Sequence, residues 1–206
     1  MSRRTRPFPQ VPGPCHPVGR RFTDLDSIIH QYVEEHRDGA ARELDIFRHL
    51  PSLRRCIRQA GLARRRDGSR WKRLDHQRRI PSNTLRAWAK ALLRQNAQMR
   101  SCRTFEALFN ILEKESRKFW RNGELIVYDT ALRIGAYLRL NPQKIYLHRG
   151  TREGAKALGI DAGRRCILPQ ELPKSLRHLK PYEIEDCLCI YKDQLRWLQL
   201  DERTEE

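Results

Sequence analysis

Residues 120–151 read WRNGELIVYDTALRIGAYLRLNPQKIYLHRGT, and the way this stretch folds decides the architecture. It joins two apolar periodic segments through Asn122-Gly123 and holds the densest apolar run of a polar chain. It also sets Asp129, Arg133, His148 and Arg149 close to glycines. Two local structures fit residues 120–140. In the first, one helix meets a turn at Arg121-Asn122-Gly123 and a second helix begins near Glu124. In the second, Leu125-Ile126-Val127-Tyr128 is a short β-segment, which the β-branched pair favours. Asp129, one of the best N-cap residue types, then opens a helix over 130–140. Residues 144–147, just after Asn141-Pro142, are the pairing partner of that segment. Both structures remain open at this level.

The flanks are clearer. Leu85, Trp88, Ala89 and Leu92 follow Ser82 at helical spacing, and Phe105, Leu108, Phe109, Leu112 and Phe119 follow Thr104, so core helices are expected over about 82–98 and 104–120. Upstream, Leu25, Ile28, Ile29, Tyr32 and Val33 behind Thr23 predict a helix over 24–37, closed by Gly39. Leu44, Phe47 and Leu50 predict a second helix, and Leu53, Cys56 and Ile57 a third, from Ser52 to the stop at Gly61. Downstream, Thr151 is expected to cap a short helix ended by Gly159. Pro181 is expected to start the last helix, with Ile184, Cys187, Leu188, Tyr191, Leu195 and Leu198 on one face. The fold class expected is mainly α: a multi-helix single domain over 22–200 with room for a small two-stranded β-ribbon. A disordered basic arm over 1–21, rich in proline and arginine, precedes it. An acidic frayed tail over 201–206 follows.

The 206 residues carry 42 Lys plus Arg against 25 Asp plus Glu, a net charge of +17. Such a charge speaks about partners rather than fold. DNA or RNA is the leading partner, and an acidic protein is the other candidate. No run reaches the roughly 18 apolar residues a membrane span needs, so no membrane partner is expected. No apolar segment follows the N-terminal arginines, so no signal peptide is read there. Six cysteines without a CxxC pair point to reduced thiols and a cytoplasmic setting, nucleoid-associated if the partner is DNA.

The strongest basic segment is residues 64–80, RRRDGSRWKRLDHQRRI, in which eight of seventeen residues are Arg or Lys. Asp67-Gly68 is a turn signal, so the segment is either a tight turn between two short strands or an irregular loop. Arg64, Arg65, Arg66, Arg70, Lys72, Arg73, Arg78 and Arg79 around Trp71 suit contact with a phosphate backbone plus stacking. The plain alternative is a solvated loop whose Trp71 packs on the core. His76 has no partner in the sequence that would make it catalytic.

His148-Arg149-Gly150-Thr151 forms the second candidate. A glycine before a capped helix start exposes backbone N–H groups, and the helix dipole favours an anion there; Arg149 and Arg152 add donors. The plain alternative is a left-handed turn and N-cap. No metal site is expected. His148 has no second His or acidic residue at i+3 or i+4, and Cys187 and Cys189 would point about 200° apart on a helix. No cofactor motif is present. Glu183, Glu185 and Asp186 read as first-turn acids that complement the dipole of the last helix.

Around the opening stretch the chain resembles helix–hairpin–helix DNA-binding and DNA-repair proteins. Asn122-Gly123 falls in the hairpin, with Ala131 and Ile134 in the following helix, and the resemblance implies that hairpin N–H groups bind a phosphate. The chain has one glycine where that family has two, with Arg121-Asn122 in the other places. Asp129-Thr130, with Arg133 one turn on, resembles a separate part of the DNA glycosylases of this group and implies a catalytic role for Asp129 and Arg133. In that family the hairpin lies well upstream of the aspartate, so the two matches exclude each other. Read without the family, Asp129 is a helix cap that Arg133 pairs with across one turn, keeping the carboxylate ionised.

Overall fold

The computed structural model describes residues 22–119 and 122–204. The expected basic arm over 1–21 and Arg121 of the expected hairpin lie outside the described residues. So does the end of the acidic tail, whose residues 201–204 continue the last helix.

The chain is mainly α, as its periodicity demands. Helix α1 (Leu25–Tyr32) is capped by Asp24, whose carboxylate accepts from the Ser27 N–H at 2.7 Å. Thr23, the expected cap, instead donates to Asp24. A π-helical turn (Val33–Arg37) carries α1 straight into α2 (Asp38–Arg48), so Gly39 does not stop the helix. Helix α3 (Leu53–Gly61) starts at Ser52 as expected, with the Ser52 hydroxyl accepting from the Arg55 N–H as its cap. An antiparallel ribbon follows, β1 (Arg64–Asp67) and β2 (Arg70–Arg73), and then a 3-10 turn (Asp75–Gln77). The helix expected over 82–98 divides at Gln95 into α4 (Ser82–Arg94) and α5 (Asn96–Arg100). Helix α6 (Phe105–Ser116) starts on Thr104, whose hydroxyl accepts from the Ala107 N–H.

Helix α7 (Glu124–Leu138) resolves the two alternatives in favour of the first. Residues 124–128 are its opening turns, not a strand. Ile126, Val127, Tyr128, Ala131, Ile134 and Ala136 are all buried, on more than one side of the helix. A helix wrapped by α2, α3 and α6 can bury such an all-round apolar surface, and this packing overrides the β preference of Ile126-Val127. The helix ends on Arg139 in the left-handed region (φ 59), with the Leu140 N–H reaching back to the Gly135 carbonyl at 2.8 Å. A side chain at Gly135 would strike Leu140 O at 2.6 Å and the Phe105 ring at 3.1 Å, so α6 packs against bare backbone there.

Strand β3 (Ile145–Tyr146) pairs with β4 (Cys166–Ile167), with Ile145 opposite Ile167, and not with 125–128. Helix α8 (Arg149–Ala157) follows β3, and α9 (Pro181–Ile190) and α10 (Lys192–Thr204) close the chain. Pro181 occupies the first turn of α9 as expected, but the single last helix expected from it divides at Tyr191, so Leu195 and Leu198 belong to α10. Apolar side chains sort into two buried clusters. One is centred on α3, α4, α6 and α7 and includes Trp88; the other joins α1, β3, α8 and α9 and includes Tyr32 and Tyr191. Among the described residues no helix is long and apolar enough to cross a membrane.

Candidate nucleic-acid interface

The basic ribbon takes the strand–turn–strand form. Gly68 has φ +56, a conformation open to glycine at little cost, and it closes the two-residue loop. The register sets Arg64 opposite Arg73 and Arg66 opposite Trp71, so these four share one face, while Arg65, Lys72 and Arg70 share the other. Trp71 is half-buried and stands edge-on to Phe47 with ring centroids 5.6 Å apart. The tryptophan thus anchors the ribbon on the core instead of projecting as a free stacking platform. Arg73 is also structural: its guanidinium donates to the Gln77 carbonyl at 2.8 Å and to the Ile80 carbonyl, tying the ribbon to the segment before α4. Lys72 pairs with Asp67, and both Arg78 and Arg65 with Asp75. Arg64, Arg65, Arg66, Arg70 and Arg79 remain exposed.

Between the ribbon and helices α3 and α4 runs a groove of about 470 Å³. Its cationic lining is Arg58 from α3, Arg64 and Arg73 from the ribbon, and Arg86 and Lys90 from α4, with Trp71 among its walls and no carboxylate. Among the described residues none of Arg58, Arg64, Arg86 and Lys90 forms an ion pair. Helices α3 and α4 approach closely because Gly61 lacks a side chain: a Cβ there would lie 2.9 Å from the Ala89 Cα. Sequence reading found the ribbon but missed Arg58, Arg86 and Lys90. Their signal was the i, i+4 spacing of Arg86 and Lys90 on the polar side of a helix whose other side is apolar.

The second candidate does not hold as drawn. Helix α8 begins at Arg149 with His148 as its N-cap residue, so Thr151 lies inside the first turn and is fully buried. The Thr151 hydroxyl donates to Glu185 Oε1 at 2.8 Å, and buried His148 bonds the same carboxylate through Nε2. Burial pulls the His148 imidazolium down, but its hydrogen bond to Glu185 and the charges of Glu185, Asp129 and Glu124 together outweigh that and raise its pKa. An anion already sits beside this helix start, and the protein supplies it. Gly150 is not in the left-handed region; its bareness makes room for the Cys189 thiol, which a Cβ would meet at 2.6 Å. Arg152 donates to the Ala162 carbonyl at 2.7 Å, the Arg164 carbonyl at 2.6 Å and Glu124 at 2.6 Å. Only Arg149 faces out, with a side chain 94% exposed and an ion pair to Glu153 at 3.4 Å. Gly123 precedes α7 in extended backbone, and the Asn122 N–H donates to the Phe119 carbonyl at 3.2 Å. Among the described residues the buried Asn122 carboxamide has no hydrogen-bond partner, and a side chain at Gly123 would meet nothing within 4 Å.

Asp129 sits in the middle of α7 and caps nothing. It lines a cleft of about 280 Å³ together with Glu43 of α2, His76, Arg133, and Tyr182 and Asp186 of α9. Its carboxylate accepts from His76 Nε2 at 2.8 Å and from Gln77 Nε2 at 3.0 Å, and lies 3.8 Å from the Arg133 guanidinium. Burial alone would raise its pKa; Arg133, His76 and Gln77 together hold it well below the usual carboxylate range. Arg133 is buried between Asp129 and Glu43, whose carboxylate it reaches at 2.7 Å. The expected Asp129–Arg133 pairing is therefore present, but inside a five-residue network. Asp186, read from the sequence as a first-turn acid, turns into the cleft. Burial and the carboxylates of Glu185, Asp129 and Glu43 push its pKa well above the ordinary value. Glu183 does cap α9, accepting from the Lys180 N–H at 2.8 Å.

Compared with protein-family models, with curated proteins and with solved structures, the chain matches none.

Proposed function

We propose that the chain binds nucleic acid, duplex DNA in the first place, through phosphate contacts in the groove between the β1–β2 ribbon and helices α3–α4. The observation that carries this reading is the groove's cationic lining without a carboxylate, whereas Arg133, Arg152 and Lys72 elsewhere are paired with carboxylates of the protein itself. Cations left without protein partners keep their whole field for an incoming polyanion, and phosphate neutralisation supplies most of the affinity of such contacts. Arg64, Arg66 and Arg70 extend the positive surface along the ribbon, and Trp71 holds that ribbon in place. Recognition of this type reads backbone charge and carries little sequence information.

Fluorescence anisotropy of labelled duplex DNA against salt tests the reading. Four unpaired groove cations imply a log–log slope of roughly −3 to −4. A flat salt dependence, or absence of binding at low salt, rejects it; stronger binding of single-stranded RNA than of duplex DNA changes the substrate. In this reading Asp129 and Arg133 are structural. A cleavage or base-release product formed by the wild type and lost in Asp129→Asn, with the variant folded, overturns that assignment.

A further inference from the structure

Helices α8 and α9 pack closely enough for their backbones to touch the facing side chains. A Cβ at Gly150 would lie 2.6 Å from the Cys189 thiol, and one at Gly154 would lie 2.2 Å from the Leu188 carbonyl oxygen. The two glycines are four apart and share one face of α8. Against that face α9 presents Glu185 and Cys189, also four apart and on one side of their helix. His148, the residue before α8, completes the group. One ring nitrogen, one carboxylate oxygen and one sulfur, all within 4.8 Å of one another, converge here. Two of the three residues are buried, and Cys189 is half-buried.

We propose that His148, Glu185 and Cys189 form a binding site for a divalent transition-metal ion, zinc in the first place. The donor set mixes nitrogen, oxygen and sulfur, which suits borderline-soft Zn²⁺ and does not suit Mg²⁺ or Ca²⁺, whose ligands are oxygens. In a tetrahedral zinc site the ligand atoms sit roughly 3.3–3.8 Å apart. The Cys189 sulfur needs to close by about 1 Å toward the other two donors, while the His148–Glu185 hydrogen bond opens as the ion enters between them. Thr151 stands behind the group: its hydroxyl donates to Glu185 Oε1 at 2.8 Å, fixing the carboxylate as outer-shell partners do. Three protein donors leave a fourth position for water. Neither the basic groove nor the nucleic-acid reading is needed for this site. Its donors are hidden in the sequence because 37 residues separate His148 from Glu185.

Cobalt substitution tests the site on the full chain, reduced and first stripped with a chelator. Titration with Co²⁺ should produce a thiolate-to-cobalt charge-transfer band together with the visible d–d bands of tetrahedral cobalt, and Zn²⁺ should displace both. Cys102→Ser, far from the site, should keep the charge-transfer band, and Cys189→Ser should lose it. Zinc at a hundredfold excess over its Kd should raise the thermal midpoint of the wild type by roughly 5–10 °C. Absence of a thiolate band in the wild type overturns the proposal, as does its survival in Cys189→Ser. Should Cys189→Ser fail to fold, the wild-type band, its displacement by zinc and the zinc-dependent midpoint decide alone, and a midpoint unmoved by zinc counts against the site.

Discussion

The β1–β2 ribbon and the start of α8 look alike in sequence: each has a glycine among arginines beside a residue suited to contact an anion. In the fold they differ. Arg64, Arg66 and Arg70 project from a two-stranded ribbon with little to pack against, and the adjoining helices add Arg58, Arg86 and Lys90 without a carboxylate. At α8, His148 and Thr151 turn inward onto Glu185, and Arg152 spends its guanidinium on two carbonyls and Glu124. The same holds beneath α7, where Arg133 lies between Glu43 and Asp129. Positive residues thus form two populations. One is turned outward and available to a polyanion; the other is neutralised inside the protein and belongs to its stability. A basic residue reports on a partner only after its own carboxylates have been counted.

The division breaks most visibly at Arg133. Arg133→Met removes the charge that two partly buried carboxylates share and should cost about 3 kcal/mol in denaturant unfolding, leaving the DNA affinity of the folded fraction unchanged. A loss of affinity without a loss of stability would put Arg133 among the outward cations. Next in size is the groove. The triple variant Arg64→Glu, Arg86→Glu, Lys90→Glu should lower DNA affinity by about a hundredfold or more at low salt and flatten the salt slope. Its stability should stay within roughly 0.5 kcal/mol of the wild type. Unchanged affinity would empty the groove of function.

Gly150→Val should cost about 1–3 kcal/mol, read as a lowered thermal midpoint, because its side chain must displace the Cys189 thiol. DNA affinity should not change; a selective loss of binding would return the α8 start to the interface. Acid supplies a gentler probe of the interior network. The Asp129 carboxylate has its pKa held below the unfolded value, so its contribution is fully present above roughly pH 4 and fades as pH falls through the folded value. The stability gap between wild type and Asp129→Asn, measured by denaturant at successive pH values, should be constant from pH 7 to about pH 5 and shrink below roughly pH 4. A gap that widens on acidification would mean that the carboxylate is not held ionised. Smallest of all, Arg149→Glu should change DNA affinity by less than about threefold, since this exposed residue already pairs with Glu153 and lies at a start whose other groups face inward.

Periodicity located the helices because burying one stripe of a helix leaves its mark every three to four residues, and that mark lies within a single segment. The caps at Ser52 and Thr104, the glycine turn of the ribbon and the basic surplus are local in the same way, and the chain alone determined them. Tertiary structure decided the rest. Residues 124–128 carried equal marks of strand and helix, and the helix prevailed because α2, α3 and α6 close around α7 and bury it on several sides. Asp129 looked like a cap while its neighbours in sequence were the only ones known; His76 and Gln77, fifty-odd residues upstream, made it an interior carboxylate. His148 showed no acidic neighbour at i+3 or i+4 because its neighbours Glu185 and Cys189 come from another helix, brought within reach by two glycines that let α8 and α9 touch. Chain-local chemistry follows from neighbouring residues, whereas a charge's partner, and hence whether it serves stability or binding, is set by contacts between distant segments that only the packed core specifies.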